Sequence, residues 1–355
     1  RESLGYDKLL MATGYRPLSP SIEGIEADGV FTASRIEDGQ AIADWLGSGR
    51  ARRAVLIGGG YVSLEMAEAL RRRRVEVTLI EKTPAVFPAL DADMAALVEG
   101  ELRANGVRVL TGRPAQRILT RQEGSVEGVE LESGSPFIPA DMVFVDVGVA
   151  PRVELAAAAG IHLGSSGAIA VSERMETNVN SVYAAGNCAE TFHLVSGRPV
   201  FDPVGTVAAK QGRVAGENMA AGRARFPGAV GTTVVKVFGL TAARTGLSAK
   251  EARREGFQVR EATISGRFQA PYFEGGASGT VKVVADAVSR RLLGAQIVGD
   301  AMAGVRIDVV ATALTGGMTV DTAAQLDLAY APPVGALWNP VLIAMNALLR
   351  RLDEG

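Results

Sequence analysis

The sequence predicts an α/β chain that ends in an α+β domain, and three observations carry that prediction. An apolar run, Ala54 to Ile57, meets three glycines and then a helical pattern in "VLIGGGYVSLEMAEAL". Strand and helix patterns continue to alternate as far as Val147. Beyond "RARFPGAVG" (223–231), where Gly and Pro mark a boundary, strand patterns follow one another instead.

Each element has a local reason. Tyr6 to Gly14 reads as a strand closed by Thr13-Gly14, and Ile36 to Trp45 as a helix with Glu37 and Asp38 near its positive end. Ala54–Ile57, the turn Gly58–Gly60, a helix Tyr61–Arg73 and a strand Val75–Ile80 form a βαβ crossover, which implies parallel strands. Arg71 to Arg74 lie at the far end of that helix, where they complement its negative pole. A helix Ala92–Asn105 and a strand Val107–Leu110 continue the alternation, Pro114 to Leu131 reads as an antiparallel excursion, and Met142–Val147 is a buried strand. From Ile169 the pattern is strand, loop, the strand "SVYAAGN", and a helix Val204–Ala221. The last part shows strands "TVVKVFG", "FQVREATIS", "GTVKVVAD" and "LLGAQIVG", with helices at Ala249–Glu255, Val305–Thr315 and about Val341–Leu352.

Bulk properties narrow the function. The chain has 355 residues with 47% hydrophobic, enough for two or three domains, and a net charge of −2 without a basic half, which argues against a nucleic-acid partner. Cys188 is the single cysteine, so no intrachain disulfide can form and a cytoplasmic setting is expected. No apolar run approaches the ~20 residues that span a bilayer, so no membrane partner is expected either. No metal-ligand cluster stands out. The N-terminus, "RESLGYDKLLMATGYRP", has no initiator Met and reads as starting within a domain.

The glycine turn points to a dinucleotide. In G-x-G-x-x-G the first Gly makes the turn, the second admits a pyrophosphate, and the third lets helix and strand pack. Gly58 and Gly60 fill the first two places, with Gly59 between them, and Ser63 takes the third. Glu81 closes the next strand about 20 residues on, where a carboxylate accepts from an adenosine ribose. A carboxylate there repels a 2′-phosphate, so NADH is favoured over NADPH, with Lys82 moderating the preference.

"YDKLLMATGYRP" and "TNVNSVYAAGNCAE", placed on either side of that unit, give the chain a pattern that resembles the FAD-dependent pyridine nucleotide–disulfide oxidoreductases. The resemblance implies two Rossmann-like nucleotide-binding domains, one for FAD and an inserted one for NAD(P)H, and a C-terminal α+β dimerisation domain. The expected division is a first FAD segment over 1–34, the NAD(P) domain over 35–140, the returning FAD segment over 141–226 and the dimerisation domain over 227–355. It implies that Ala12, Thr13 and Gly14 contact the flavin nucleotide, and that Gly186 and Asn187 stand where the family has Gly-Asp; Asn keeps an acceptor oxygen and loses the charge. Tyr61, Val62, Glu65 and Gly148 fall at positions for the nicotinamide nucleotide. The family's opening Gly-rich turn and redox cysteine have no counterpart here, so roughly a hundred residues of the FAD domain are expected upstream.

Within the family, "LDLAYAPPVGALWNPVLIAMNAL", "FGLTAARTGLS" and "RIDVVATALTGGMTV" resemble the coenzyme A-disulfide reductase, persulfide reductase and NADH oxidase branch. His162 and His193 both lie outside the C-terminal domain, so the His-Glu couple of the dithiol reductases is absent. In the branch's disulfide reductases two partner-subunit tyrosines serve the thiol chemistry; they match Tyr330 and, more loosely, Tyr272. A phenol stays protonated at neutral pH and can donate to a leaving thiolate; packing at a turn fixed by Pro332 and Pro333 is the other reading of Tyr330. Lys210 and Arg213 either approach coenzyme A phosphates or line a solvated face. Cys188 reads as structural. The expected protein is thus a homodimeric flavin-dependent NAD(P)H oxidoreductase acting on coenzyme A disulfide, persulfide or a related thiol substrate. An NADH oxidase or peroxidase, or a non-catalytic nucleotide-binding and dimerisation fragment, are the alternatives.

Overall fold

A computed structural model describes residues 4–132, 137–270, 272–273 and 278–354. The first three residues and most of "APYFEGG" around Tyr272 therefore lie outside the described residues. The chain divides into two compact units, one of residues 1–16, 149–233 and 314–316, the other of residues 17–148, 234–313 and 317–355.

In the smaller unit the strand Leu9–Met11 pairs in parallel with Val182–Ala184. Their apolar faces join Ile161, Ile169 and Cys188, the last fully buried, in one cluster. The helix Gly205–Met219 buries Val207, Gln211, Val214, Ala215 and Asn218, a stripe at helical spacing. The Lys8 ammonium donates to the carbonyls of Asn218 and Met219 at 3.2 and 2.7 Å, a cation on the helix's negative pole. The strand expected from Ile169 does not form. Ile169 makes only single bridges to Leu163 and Ala189, because a turn closes at Gly167 before it and another, from Ser172 to Glu176, follows.

The larger unit holds the expected crossover. Five parallel strands stand in the order Val30–Phe31, Met142–Val145, Arg53–Ile57, Glu76–Glu81, Val107–Thr111. The helix Tyr61–Arg72 connects the third and fourth, burying Leu64, Ala67 and Leu70 completely against Leu56 and Leu79. Strand order reverses between Arg53–Ile57 and Met142–Val145, and the crevice beyond the carboxyl ends at such a point is where this architecture takes its ligand. The excursion is a three-stranded antiparallel sheet of Ala115–Thr120, Val126–Leu131 and Ile138–Pro139.

The C-terminal sheet is antiparallel between Leu240–Gly246, Leu292–Gly299, Ser278–Asp286 and Val259–Arg267, with Thr233–Val237 at the edge beside Leu240–Gly246. The helix Pro340–Asp353 packs on it, started by the Asn339 side chain, which accepts from the Val341 amide at 2.9 Å. The strand Leu240–Gly246 is absent from the sequence reading, since "LTAARTG" lacks a β-branched apolar run; Ala242 and Ala243 are nonetheless buried in it.

This sheet and the nucleotide sheet share one core, with Val235, Val237, Ala242 and Val298 joining Leu64 and Met94. A polar seam reinforces it. Asp91 accepts from the amides of Ala249 and Lys250 at 3.0 and 3.2 Å and from the Gln296 side chain at 2.7 Å. The Lys282 ammonium lies 3.3 Å from Asp91 and 2.9 Å from Asp93. Glu68 accepts from Lys236 at 2.6 Å and from the Phe238 amide at 2.7 Å. None of the described helices is long and apolar enough to cross a membrane.

Candidate functional site: a dinucleotide turn and a flavin loop

The glycine turn is a close fit of backbone against two carboxylates. Gly58 has φ +102°, and a Cβ on it would lie 2.0 Å from the Asp146 carbonyl oxygen, so only glycine serves there. The Gly59 N–H donates to the Glu81 carboxylate at 2.8 Å, and its carbonyl accepts from the Phe87 amide at 2.8 Å. Glu81 also accepts from the Thr83 amide at 2.7 Å and is buried. Both oxygens of the expected ribose acid are thus engaged by backbone; each keeps a lone pair with which to accept again.

The helix Tyr61–Arg72 starts at Gly60 with no side-chain cap and no acid in its first turn. Asp146, the residue after strand Met142–Val145, supplies one from outside, accepting from the Ser63 amide at 2.9 Å. A Cβ on Gly60 would stand 3.0 Å from the same carboxylate oxygen. Burial pushes the Asp146 carboxyl above the usual carboxylate range, and the charge of Glu81 adds to that, while the Ser63 and Val62 amides work in the opposite sense. Asp146 was outside the sequence reading. The signal for it was a lone acid within "MVFVDVGVAP", an otherwise apolar stretch.

Tyr61 packs edge-on to Phe87, ring centroids 4.6 Å apart. Val62 and Glu65 are exposed on the same helix. Burial of part of the Glu65 side chain, with Glu68 nearby, raises its carboxyl. Gly148 adopts φ +110° and its carbonyl accepts from Leu18 at 2.9 Å. Lys82 is exposed beside Glu81. The turn, Glu81, Asp146 and Gly148 are therefore assembled from the ends of three adjacent strands, with Tyr61 opening the helix.

In the smaller unit the pairing of Leu9–Met11 with Val182–Ala184 brings Ala12–Gly14 alongside Gly186–Asn187. Gly14 and Gly186 both have positive φ, +71° and +80°. The Gly186 amide is held by the buried Gln211 side chain at 2.9 Å, and the Thr13 hydroxyl donates to the Arg152 carbonyl at 2.6 Å. The Asn187 Oδ1 atom is buried without a hydrogen-bond partner. An orphaned buried acceptor costs about 1–3 kcal/mol, and a hydroxyl-bearing ligand such as a flavin's ribityl chain would satisfy it. The residues present fit that group.

Tyr272 and Tyr330 are brought together: the hydrogen bond between them raises the Tyr272 phenol, and both are exposed. Lys210 and Arg213 are exposed on the helix Gly205–Met219. Cys188 is buried, its thiol facing the carbonyls of Met11 and Ala185, as a structural residue would be. Among the described residues no group of His, Cys, Asp and Glu is arranged to hold a metal ion.

The chain resembles known proteins over nearly its whole length. The family description "Pyridine nucleotide-disulphide oxidoreductase" matches residues 1–212, and its dimerisation domain matches residues 232–340. A Pyrococcus furiosus protein named NAD(P)H sulfur oxidoreductase (CoA-dependent) is 38% identical over 98% of this chain and 77% of its own length. A Methanocaldococcus jannaschii protein named NADH oxidase is 33% identical over 99% of this chain and 77% of its own. The solved structure of a NAD-dependent persulfide reductase from A. fulgidus superposes with a TM-score of 0.95 at 42% identity, covering 99% of this chain. The chain spans 65% of that protein's length. The dimerisation-domain match supports a homodimer, and the family implies FAD and NAD(P)H as cofactors. With a glycine turn on one unit, a flavin-type loop pair on the other and matches over most of its length, the chain belongs to the pyridine nucleotide-disulphide oxidoreductase family.

Proposed function

We propose that this chain carries the nicotinamide-nucleotide and dimerisation machinery of a FAD-dependent NAD(P)H oxidoreductase that reduces a coenzyme A-linked disulfide or persulfide. The observation that carries the reading is the glycine turn backed by Glu81, in a chain similar over nearly its whole length to a CoA-dependent sulfur oxidoreductase. Bound together, the nicotinamide and the flavin would supply hydride and electron transfer.

The protein's part is binding and orientation. The bend Gly58–Gly60 brings the diphosphate to the start of the helix Tyr61–Arg72, Glu81 accepts from the adenosine ribose, and Tyr61, Glu65 and Gly148 flank the nicotinamide. Glu81 makes NADH the preferred nucleotide, with Lys82 limiting the preference. Ala12 to Gly14 and Gly186–Asn187 hold the flavin nucleotide. Tyr330, with Tyr272 bonded to it, donates a proton to the thiolate that leaves. Lys210 and Arg213 are available to coenzyme A phosphates. A cytoplasmic setting suits a chain whose single cysteine is buried and unpaired.

The test is NADH consumption without oxygen, with coenzyme A disulfide or a coenzyme A persulfide as acceptor. Turnover that falls at least about tenfold in Tyr330→Phe, with NADH affinity unchanged, fits the reading. Turnover only with oxygen or peroxide supports the oxidase reading, which the similarity to the M. jannaschii NADH oxidase favours. A colourless protein that binds NADH and turns nothing over indicates a binding and dimerisation segment.

A further inference from the structure

We propose that Asp146 is a resident anion at the positive pole of the nucleotide helix, and that a dinucleotide binds there with uptake of one proton by this carboxylate. The inference rests on the reading of the glycine turn as a nicotinamide dinucleotide site.

Hydrogen bonds fix Asp146 at the turn. Its amide donates to the Ile57 carbonyl at 2.9 Å, which fixes it beside the turn, and its carboxylate takes the Ser63 amide at 2.9 Å. The helix has no acid of its own in the first turn, so this side chain replaces one. An amide that a ligand phosphate could otherwise use is thereby already engaged.

Among the described residues, the charged neighbour that acts on Asp146 is itself acidic. Strand Glu76–Glu81 presents Glu81, a second carboxylate. The helix presents Tyr61 and, one turn on, Glu65. Strand Arg53–Ile57 carries Arg53 at its opposite end, where it is paired with Asp141 at 3.2 Å. Burial and, to a smaller extent, Glu81 already push the Asp146 carboxyl above its ordinary value in the free protein. A diphosphate brings further negative charge to the same pole, and a partly buried carboxylate beside it responds by taking a proton from solvent. No covalent bond between heavy atoms changes. Affinity then rises as pH falls, by about tenfold for each unit by which the ligand raises the Asp146 pKa.

The test is calorimetric titration of the intact purified protein with NADH, ADP-ribose and adenosine, each in two buffers of different ionisation enthalpy at several pH values. ADP-ribose has the diphosphate and no nicotinamide; adenosine has no phosphate and reaches only the Glu81 end. Proton uptake with NADH and ADP-ribose, none with adenosine, and affinity of the two diphosphates falling as pH rises are expected. Asp146→Asn keeps an acceptor for the Ser63 amide; its binding should be tighter above neutral pH, independent of pH and free of proton uptake. Equal uptake with adenosine, no uptake in the unaltered protein, or persistent uptake in Asp146→Asn would each overturn the proposal. These outcomes leave the dinucleotide reading intact. Failure to bind any of the three ligands overturns that reading itself, and the proposal with it. Should Asp146→Asn fail to fold, the three-ligand comparison on the unaltered protein decides alone.

Discussion

Asp91 and Asp146 each accept amides from the first turn of a helix to which they do not belong, yet their surroundings treat the charge in opposite ways. At Asp91 burial opposes ionisation, but the Ala249 and Lys250 amides, Gln296 and Lys282 outweigh it and hold the carboxyl below its usual range. At Asp146 burial prevails, and the neighbouring charge is another carboxylate. The seam acid is complete within the protein, with a cation beside it. The acid at the turn has another acid for its charged neighbour, where an anionic ligand is expected. A carboxylate with its counter-charge built in serves stability; one without it is available to a ligand or a proton.

The largest effect is expected at the seam. Lys282→Met leaves Asp91 buried without its cation and should cost about 3–5 kcal/mol of unfolding free energy in urea denaturation. A loss below about 1 kcal/mol would mean that Gln296 and the two amides suffice for Asp91. At the turn, Gly58→Ala drives a Cβ into the Asp146 carbonyl at a positive φ. It should cost more than about 1 kcal/mol and weaken NADH binding, followed by nucleotide fluorescence, by at least about tenfold.

The smallest effect is the sharpest discriminator, because its sign differs between the two acids. Asp91 contributes stability that is present above the ordinary carboxylate value of 3.8 and is lost as pH falls through its lower folded value. Asp146 acts in reverse: its contribution is full below 3.8 and is lost as pH rises through its raised folded value. In melting temperatures measured between acid and neutral pH, Asp91→Asn should flatten the acid limb and lose stability at neutral pH. Asp146→Asn should gain stability at neutral pH and change little in acid. A shift of the same sign in both variants would erase the distinction.

Much of the fold was legible because it is written locally. The run Ala54–Ile57, the glycines and the stripe Leu64, Ala67, Leu70 each specify their element within a few residues. The segments Ala12–Gly14 and Gly186–Asn187 stood out as motifs in the sequence, and strand pairing brings them side by side. What escaped was specified by distant partners. "LTAARTG" is a strand because Leu292–Gly299 pairs with it, not by its own propensity. Ile169 has an apolar run's composition and lacks a continuous neighbour. Asp91 and Lys282 are far apart in sequence, and neither looks unusual until the fold joins them. Asp146 is a lone acid just past an apolar strand, and the helix end that it faces comes from a segment some eighty residues away.

The shared core and the Asp91 and Glu68 contacts restrict movement between the two sheets. The nucleotide helix is fastened to the sheet of the dimerisation domain at both its flank and the loop that follows its strand. The glycine bend therefore has no hinge of its own against that sheet, and the two must loosen as one cooperative block. Subunit association, wherever it bears on the sheet, would then stiffen the dinucleotide seat without touching it.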